Sequence, residues 1–131
     1  MPLPPDLRSW TKTLVQKYGF RAGERLGQHF LVDKKVVENI LLAADLPSNA
    51  RVLEVGGGLG VLTLPLLERA ARLVVVELDS RLLVGLRKMG VGSDKFELIE
   101  GDILKISDDV LQEALDSITP PVSLRAERSN L

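Results

Sequence analysis

The chain has 131 residues, a length for one domain, with 45% hydrophobic and 27% charged residues, so it can bury a real core and carries an ordinary charge load. No apolar run approaches the ~18 residues of a membrane span. The start, MPLPPDLRSW, lacks the order of a signal peptide, and the absence of cysteine excludes disulfides and thiolate chemistry and fits a cytoplasmic location. The net charge of −1 is unevenly spread: residues 1–35 hold seven Lys/Arg against three Asp/Glu, and residues 36–131 hold ten against fifteen. A solvated helix and loop, or a basic arm for a polyanion, would each give that asymmetry.

In chain order, the residues from Asp6 to Tyr18 place Leu7, Trp10, Leu14 and Val15 on one helical face, with Gly19 as the C-cap. Residues 20–32, FRAGERLGQHFLV, mix polarity with two glycines and read as a loop. Asp33 predicts the N-cap of a helix with Val36, Val37, Ile40, Leu41 and Ala44 inward, ending before the turn Pro47-Ser48-Asn49. Arg51–Val55 reads as a first strand, followed by glycines and then a helix of about ten residues carrying Val61, Leu62, Leu66 and Leu67, with Pro65 near its start. Leu73–Val76, apolar on both faces, reads as a buried parallel strand. Asp79 or Ser80 caps a helix with Leu82, Leu83 and Leu86, which Gly90 and Gly92 end. Phe96–Ile99 is a third strand. Ser107 to Asp109 caps a last helix with Val110, Leu111, Ala114, Leu115 and Ile118, before Pro120-Pro121. The β-α-β-α-β-α order implies an α/β fold with a parallel sheet, whose ligands sit at the carboxyl ends of the strands.

The stretch VLEVGGGLGVLT, Val52 to Thr63, is the most informative. Glycine removes Cβ and tolerates positive φ, so a ligand can press against the backbone, and the following helix start offers unpaired N–H groups. The dinucleotide pattern G-x-G-x-x-G fails from Gly56 and from Gly58, because Val61 and Thr63 stand where the third glycine belongs. The pattern that fits is E-x-G-x-G-x-G, led by Glu54 with Gly56, Gly58 and Gly60, the first motif of S-adenosylmethionine-dependent methyltransferases. Glu77, about 20 residues beyond the glycines, ends the second strand, where a carboxylate can accept from both ribose hydroxyls. Asp102 follows the third strand, where an acid can accept from an exocyclic amine. The single His29 speaks against a zinc site.

GERLGQHFLVD, LEVGGGLGVLT, VVVELD and ELIEGDIL together resemble the ribosomal RNA adenine N6-dimethyltransferase family, from about Arg21 to Ile106. The resemblance implies a partial Rossmann-like class I methyltransferase fold: three parallel strands with flanking helices and an N-terminal helical arm. It divides the chain into an N-terminal helix with a basic arm and cofactor-lid loop (1–32), a partial S-adenosylmethionine-binding domain (33–118) and a poorly packed tail (119–131). It also implies that His29 and the backbone near Leu31 close over the cofactor and that Gly56 and its neighbours face its amino-acid part. Glu77 would hold the ribose and Asp102 the adenine amine, with Arg21 and Arg25 near the rRNA. His29 departs from the family's commoner Asn but can still donate or accept one hydrogen bond.

The implied chemistry is N6-dimethylation of adenines in small-subunit ribosomal RNA or a ribosomal subunit precursor, the base being swung out of its helix. In the family an Asn-Leu-Pro-Tyr motif after the fourth strand grips that base. This sequence has no such motif; its last residues are SITPPVSLRAERSNL, with Asn130-Leu131 the nearest echo. The expectation is therefore a truncated chain that encodes cofactor contacts but not transfer by itself. Its first strand would have one unpaired edge, a route to self-association. Two other readings stand beside this one: a non-catalytic cofactor- and RNA-binding fragment, and an NAD-dependent oxidoreductase.

Overall fold

Four consecutive apolar residues, Leu73 to Val76, have both faces covered, as such a run demands in a parallel sheet. In the computed structural model, which describes residues 3–20, 33–117 and the backbone of 124–125, they form the middle of β2 (Arg72–Glu77). β2 lies between β1 (Arg51–Val55) and β3 (Phe96–Glu100), parallel to both, with Val55 opposite Val76 and Glu77 opposite Glu100. A two-residue strand, β4 (Leu124–Arg125), pairs with Leu98 and Ile99, giving the order β1-β2-β3-β4. The expected tail 119–131 thus adds a short strand on the β3 side, in a stretch whose charged residues and Pro120-Pro121 hide it.

Strand alternation sorts the side chains into two layers. Leu73, Val75, Phe96 and Leu98 face one side and pack with Leu7 of α1 (Leu7–Lys17), Val37 and Leu41 of α2 (Lys34–Ala44), Leu66 of α3 (Thr63–Arg69) and Leu82, Leu83 and Leu86 of α4 (Ser80–Gly90). Val74, Val76 and Ile99 face the other and pack with Ile106 and with Ala114 of α5 (Asp108–Asp116). Asp6, Asp33, Asp79 and Ser107 cap α1, α2, α4 and α5 by accepting backbone N–H bonds. Arg72 is buried and ties three elements together: it donates to Ala114 O at 2.9 Å, to Asp94 O at 3.3 Å and to Glu97 Oε1 at 2.8 Å.

Three helix expectations need correction. On α2 only Val37 and Leu41 are buried, while Val36 and Ile40 are each 40% exposed and Ala44 is exposed, because nothing among the described residues covers that side of the helix. α3 has seven residues, not ten: Val61 and Leu62 belong to the loop that leads into it, and Pro65 sits in its first turn, where a missing N–H is harmless. On α5 only Ala114 is fully buried; Val110, Leu111 and Leu115 are half-buried, and Ile118 lies outside the described residues.

α4 ends against β3, and a Cβ at Gly90 would overlap the Phe96 ring. Gly90→Ala is therefore expected to lose roughly 1–3 kcal/mol by overpacking, although helix propensity alone favours alanine by about 1 kcal/mol. A urea denaturation midpoint at or above that of wild type would contradict this packing.

Candidate functional site

The carboxyl ends of β1, β2 and β3 open into a cleft of about 690 Å³. Its walls include Glu54 and Val55 of β1, Gly56, Gly57, Gly58 and Leu59 of the following loop, Glu77 and Leu78 after β2, and Gly101, Asp102 and Ile103 after β3. Ile40, Leu41 and Ala44 of α2 and Leu62 and Leu66 close another side. Among the described residues three carboxylates line this cleft and no Lys or Arg does. Among the described residues no group of three or more His, Asp or Glu side chains could hold a metal ion, and no helix is long and apolar enough to cross a membrane.

The glycine loop turns sharply because its backbone enters the left-handed region. Gly56 has φ +78°, and a Cβ there would meet nothing within 4 Å, so its bare Cα faces open space. Its N–H donates to Val76 O at 2.7 Å, which continues the β1–β2 ladder into the turn. Gly57 is bare for a different reason: a Cβ there would lie 2.6 Å from Val75 Cγ1. Gly60, with φ +89°, is absent from the cleft lining and abuts Met89 of α4. Of the three glycines singled out by spacing, Gly56 and Gly58 reach the cleft and Gly60 shapes the loop behind it.

Glu77 is 4% exposed. Its Oε1 accepts from the Gly58 N–H at 2.8 Å and its Oε2 accepts from the Asp79 N–H at 2.9 Å. One carboxylate thus joins the loop after β1 to the start of α4. The Gly101 N–H donates to Glu77 O at 3.0 Å, which draws the end of β3 to the same point. Asp102 is half-buried at the other side of the cleft, and its Oδ1 accepts from the Leu104 N–H at 2.9 Å.

Glu54 lies on the face of β1 that turns toward α3. Thr63, at the first position of α3 and fully buried, donates its hydroxyl to Glu54 Oε1 at 2.6 Å. Burial pushes the Glu54 carboxyl up from 4.5 to about 7; the Thr63 hydrogen bond opposes that rise, and the Glu77 charge adds to it. Spacing singled out Glu54 but not Thr63. No motif links residues nine apart, and they meet only because the loop folds α3 back over β1. Gly57, Leu78 and Ile103 also line the cleft without having been singled out. His29, Leu31, Arg21 and Arg25 lie outside the described residues.

The pH dependence of stability follows from Glu54. Below about pH 4.5 the carboxyl is protonated whether the chain is folded or not, and no cost arises. As pH rises through 4.5 toward 7 the unfolded chain ionises first, so the folded state loses stability relative to it, by at most about 3 kcal/mol once pH exceeds 7. Glu54→Gln removes this dependence. In denaturant titrations the variant should gain on wild type between pH 5.5 and pH 8.5; an equal difference at both pH values would contradict the raised affinity for the proton.

A family model described as ribosomal RNA adenine dimethylase matches residues 19–123. The ribosomal RNA small subunit methyltransferase A of Dehalococcoides mccartyi is 45% identical over 103 residues, 79% of this chain and 35% of that protein. The protein of the same name from Clostridium perfringens is 47% identical over 96 residues, 73% of this chain and 34% of that protein. Among solved structures, a dimethyladenosine transferase from Plasmodium falciparum superposes with a TM-score of 0.57 at 33% identity, over 60% of this chain and 30% of that one. The 23S rRNA methyltransferase ErmE superposes with a TM-score of 0.53 at 37% identity, over 58% and 31%. The chain spans about a third of the length of the curated relatives it matches.

Proposed function

The chain belongs to the ribosomal RNA adenine dimethylase family, and from that premise we propose that its cleft binds S-adenosylmethionine for N6-dimethylation of adenines in small-subunit ribosomal RNA. The observation that carries this reading is the acidic lining of the cleft: Glu54, Glu77 and Asp102 around a glycine loop, with no basic side chain among the described lining residues. Such a wall repels the pyrophosphate of a dinucleotide and suits a ligand with hydroxyls, an amine and a positive charge. That disfavours the NAD-dependent oxidoreductase, as does the failed G-x-G-x-x-G spacing.

In this reading Glu77 takes the ribose hydroxyls. Its two oxygens each accept one backbone N–H and keep acceptor capacity toward the cleft. Asp102 takes the adenine amine, and the bare Cα of Gly56 lets the amino-acid part approach the loop. His29 and Leu31 are assigned to closure over the cofactor, and Arg21 and Arg25 to the rRNA, on the strength of the motif alone. The division at residues 32 and 118 rests on the same motif. Bound there, S-adenosylmethionine supplies a methyl group on a sulfonium, ready for displacement by an adenine N6 that gives up a proton. What the chain itself contributes is positioning and exclusion of water, which suffices for a displacement of this kind.

The 131 residues contain no Asn-Leu-Pro-Tyr. We therefore place cofactor binding in these residues and the gripping of the base outside them. A binding module without transfer is the second reading, and the missing motif favours it for the chain taken alone. The outer edge of β1 has no partner strand among the described residues, and we propose it as the route by which copies self-associate.

Calorimetric titration should give saturable S-adenosylmethionine binding and no heat with NAD. Glu77→Ala should weaken that binding by at least about tenfold, since hydrogen bonds to a charged group are lost. A folded sample that binds NAD, or neither ligand, would overturn the assignment. Methyl incorporation into undermethylated small ribosomal subunits should stay at background for this chain alone; robust turnover would show that the base is gripped by other residues.

A further inference from the structure

Just behind the cleft wall, outside its lining, a hydroxyl bears on one of the wall's acids. Thr63 is fully buried, and its hydroxyl donates to Glu54 Oε1 at 2.6 Å. Glu54 is itself 7% exposed and lines the cleft floor, with its Cα opposite Val75 of β2. The charged group acting on it is Glu77, at the end of β2. α2 offers the cleft only Ile40, Leu41 and Ala44, and α3 only Leu66, while Thr63 turns its hydroxyl to Glu54 behind the wall. Asp102 is the one other charged residue among the described residues of the wall. Among the described residues nothing positive in the wall balances Glu54, and a cation entering the cleft would meet its charge.

We propose that Thr63 is a positioning residue that holds the Glu54 carboxyl in place and favours its ionised form, and that the Glu54–Thr63 pair makes the cleft prefer the cationic methyl donor to the product left after transfer. The inference rests on the assignment of S-adenosylmethionine to this cleft. The donor and S-adenosylhomocysteine share ribose, adenine and amino-acid groups, so Glu77, Asp102 and Gly56 treat them alike. They differ in a methyl group and in the charge on sulfur. An ionised acid that is largely buried, as Glu54 is, acts on that charge more strongly than the same acid in solvent. With the carboxyl pushed up to about 7, the preference should grow as pH passes neutrality, and binding of the donor below that pH should release a proton.

The test is calorimetric titration of the 131-residue chain with S-adenosylmethionine and with S-adenosylhomocysteine between pH 6 and pH 8.5. Wild type, Thr63→Ser and Thr63→Val are compared, with Thr63→Ala as a second variant lacking the hydroxyl. Wild type and Thr63→Ser should prefer the donor by about tenfold at high pH, with the preference fading at low pH. Thr63→Val and Thr63→Ala should bind the product as wild type does, while the preference for the donor appears about one pH unit higher, because a hydrogen bond to the ionised form is lost. A Thr63→Val profile that superimposes on wild type, or a ratio near one at every pH, would overturn the role of the pair while leaving cofactor binding intact. Failure of both ligands to bind folded protein would instead overturn the cofactor assignment, and this inference with it.

Discussion

One carboxylate holds the candidate site in shape. Glu77 is almost completely buried at the end of β2 and accepts from the Gly58 N–H and the Asp79 N–H, while its own carbonyl accepts from the Gly101 N–H. Four segments meet there: the loop after β1, the end of β2, the start of α4 and the exit of β3. A buried charge without such donors would be costly to maintain. With them, the same residue becomes a bracket that fixes the glycine loop against the strand ends. Gly57 completes the fit from below, where only a bare Cα clears Val75 and Leu86.

The bracket brings a second acid close. Glu54 is buried one strand away, and the field of Glu77 adds to the desolvation that keeps its proton on near neutral pH. The fold tolerates this because Thr63 offers a hydroxyl and because the carboxyl can stay neutral when the cleft is empty. Elsewhere the chain handles buried charge by pairing: Arg72 meets Glu97 and two backbone carbonyls between the sheet and α5. Among the described residues no cation of that kind lines the cleft. Stability alone would favour replacing Glu54, so its presence in the wall fits a ligand that brings positive charge.

Much of this was legible from residue order. Leu73–Val76 could only be a strand covered on both faces, and the spacing of Glu54, Glu77 and Asp102 after three apolar runs put all three acids at strand ends. Helix caps at Asp33, Asp79 and Ser107 followed from side-chain chemistry within one turn, while the cap at Asp6 was not singled out. What escaped depended on distant packing. Periodicity marked a stripe on α2, yet only Val37 and Leu41 find cover among the described residues. The glycines looked equivalent in sequence, and only their neighbours separate Gly56, open to the cleft, from Gly60, pressed on Met89. Thr63 carried no signal, since its meeting with Glu54 depends on how the loop returns α3 to β1. β4 joins residues far apart in the chain through two backbone pairings that no local pattern encodes.

The central claim is that the acidic cleft at the ends of β1, β2 and β3 is the S-adenosylmethionine site of this family member. Backbone amide NMR during titration with S-adenosylmethionine tests it most directly. Saturable shifts confined to Gly56, Gly58, Leu78, Ile103 and their neighbours, with the amides of α1 unmoved, are the expected result. Shifts that leave the glycine loop untouched, or none at all in a folded sample at saturating ligand, would contradict it.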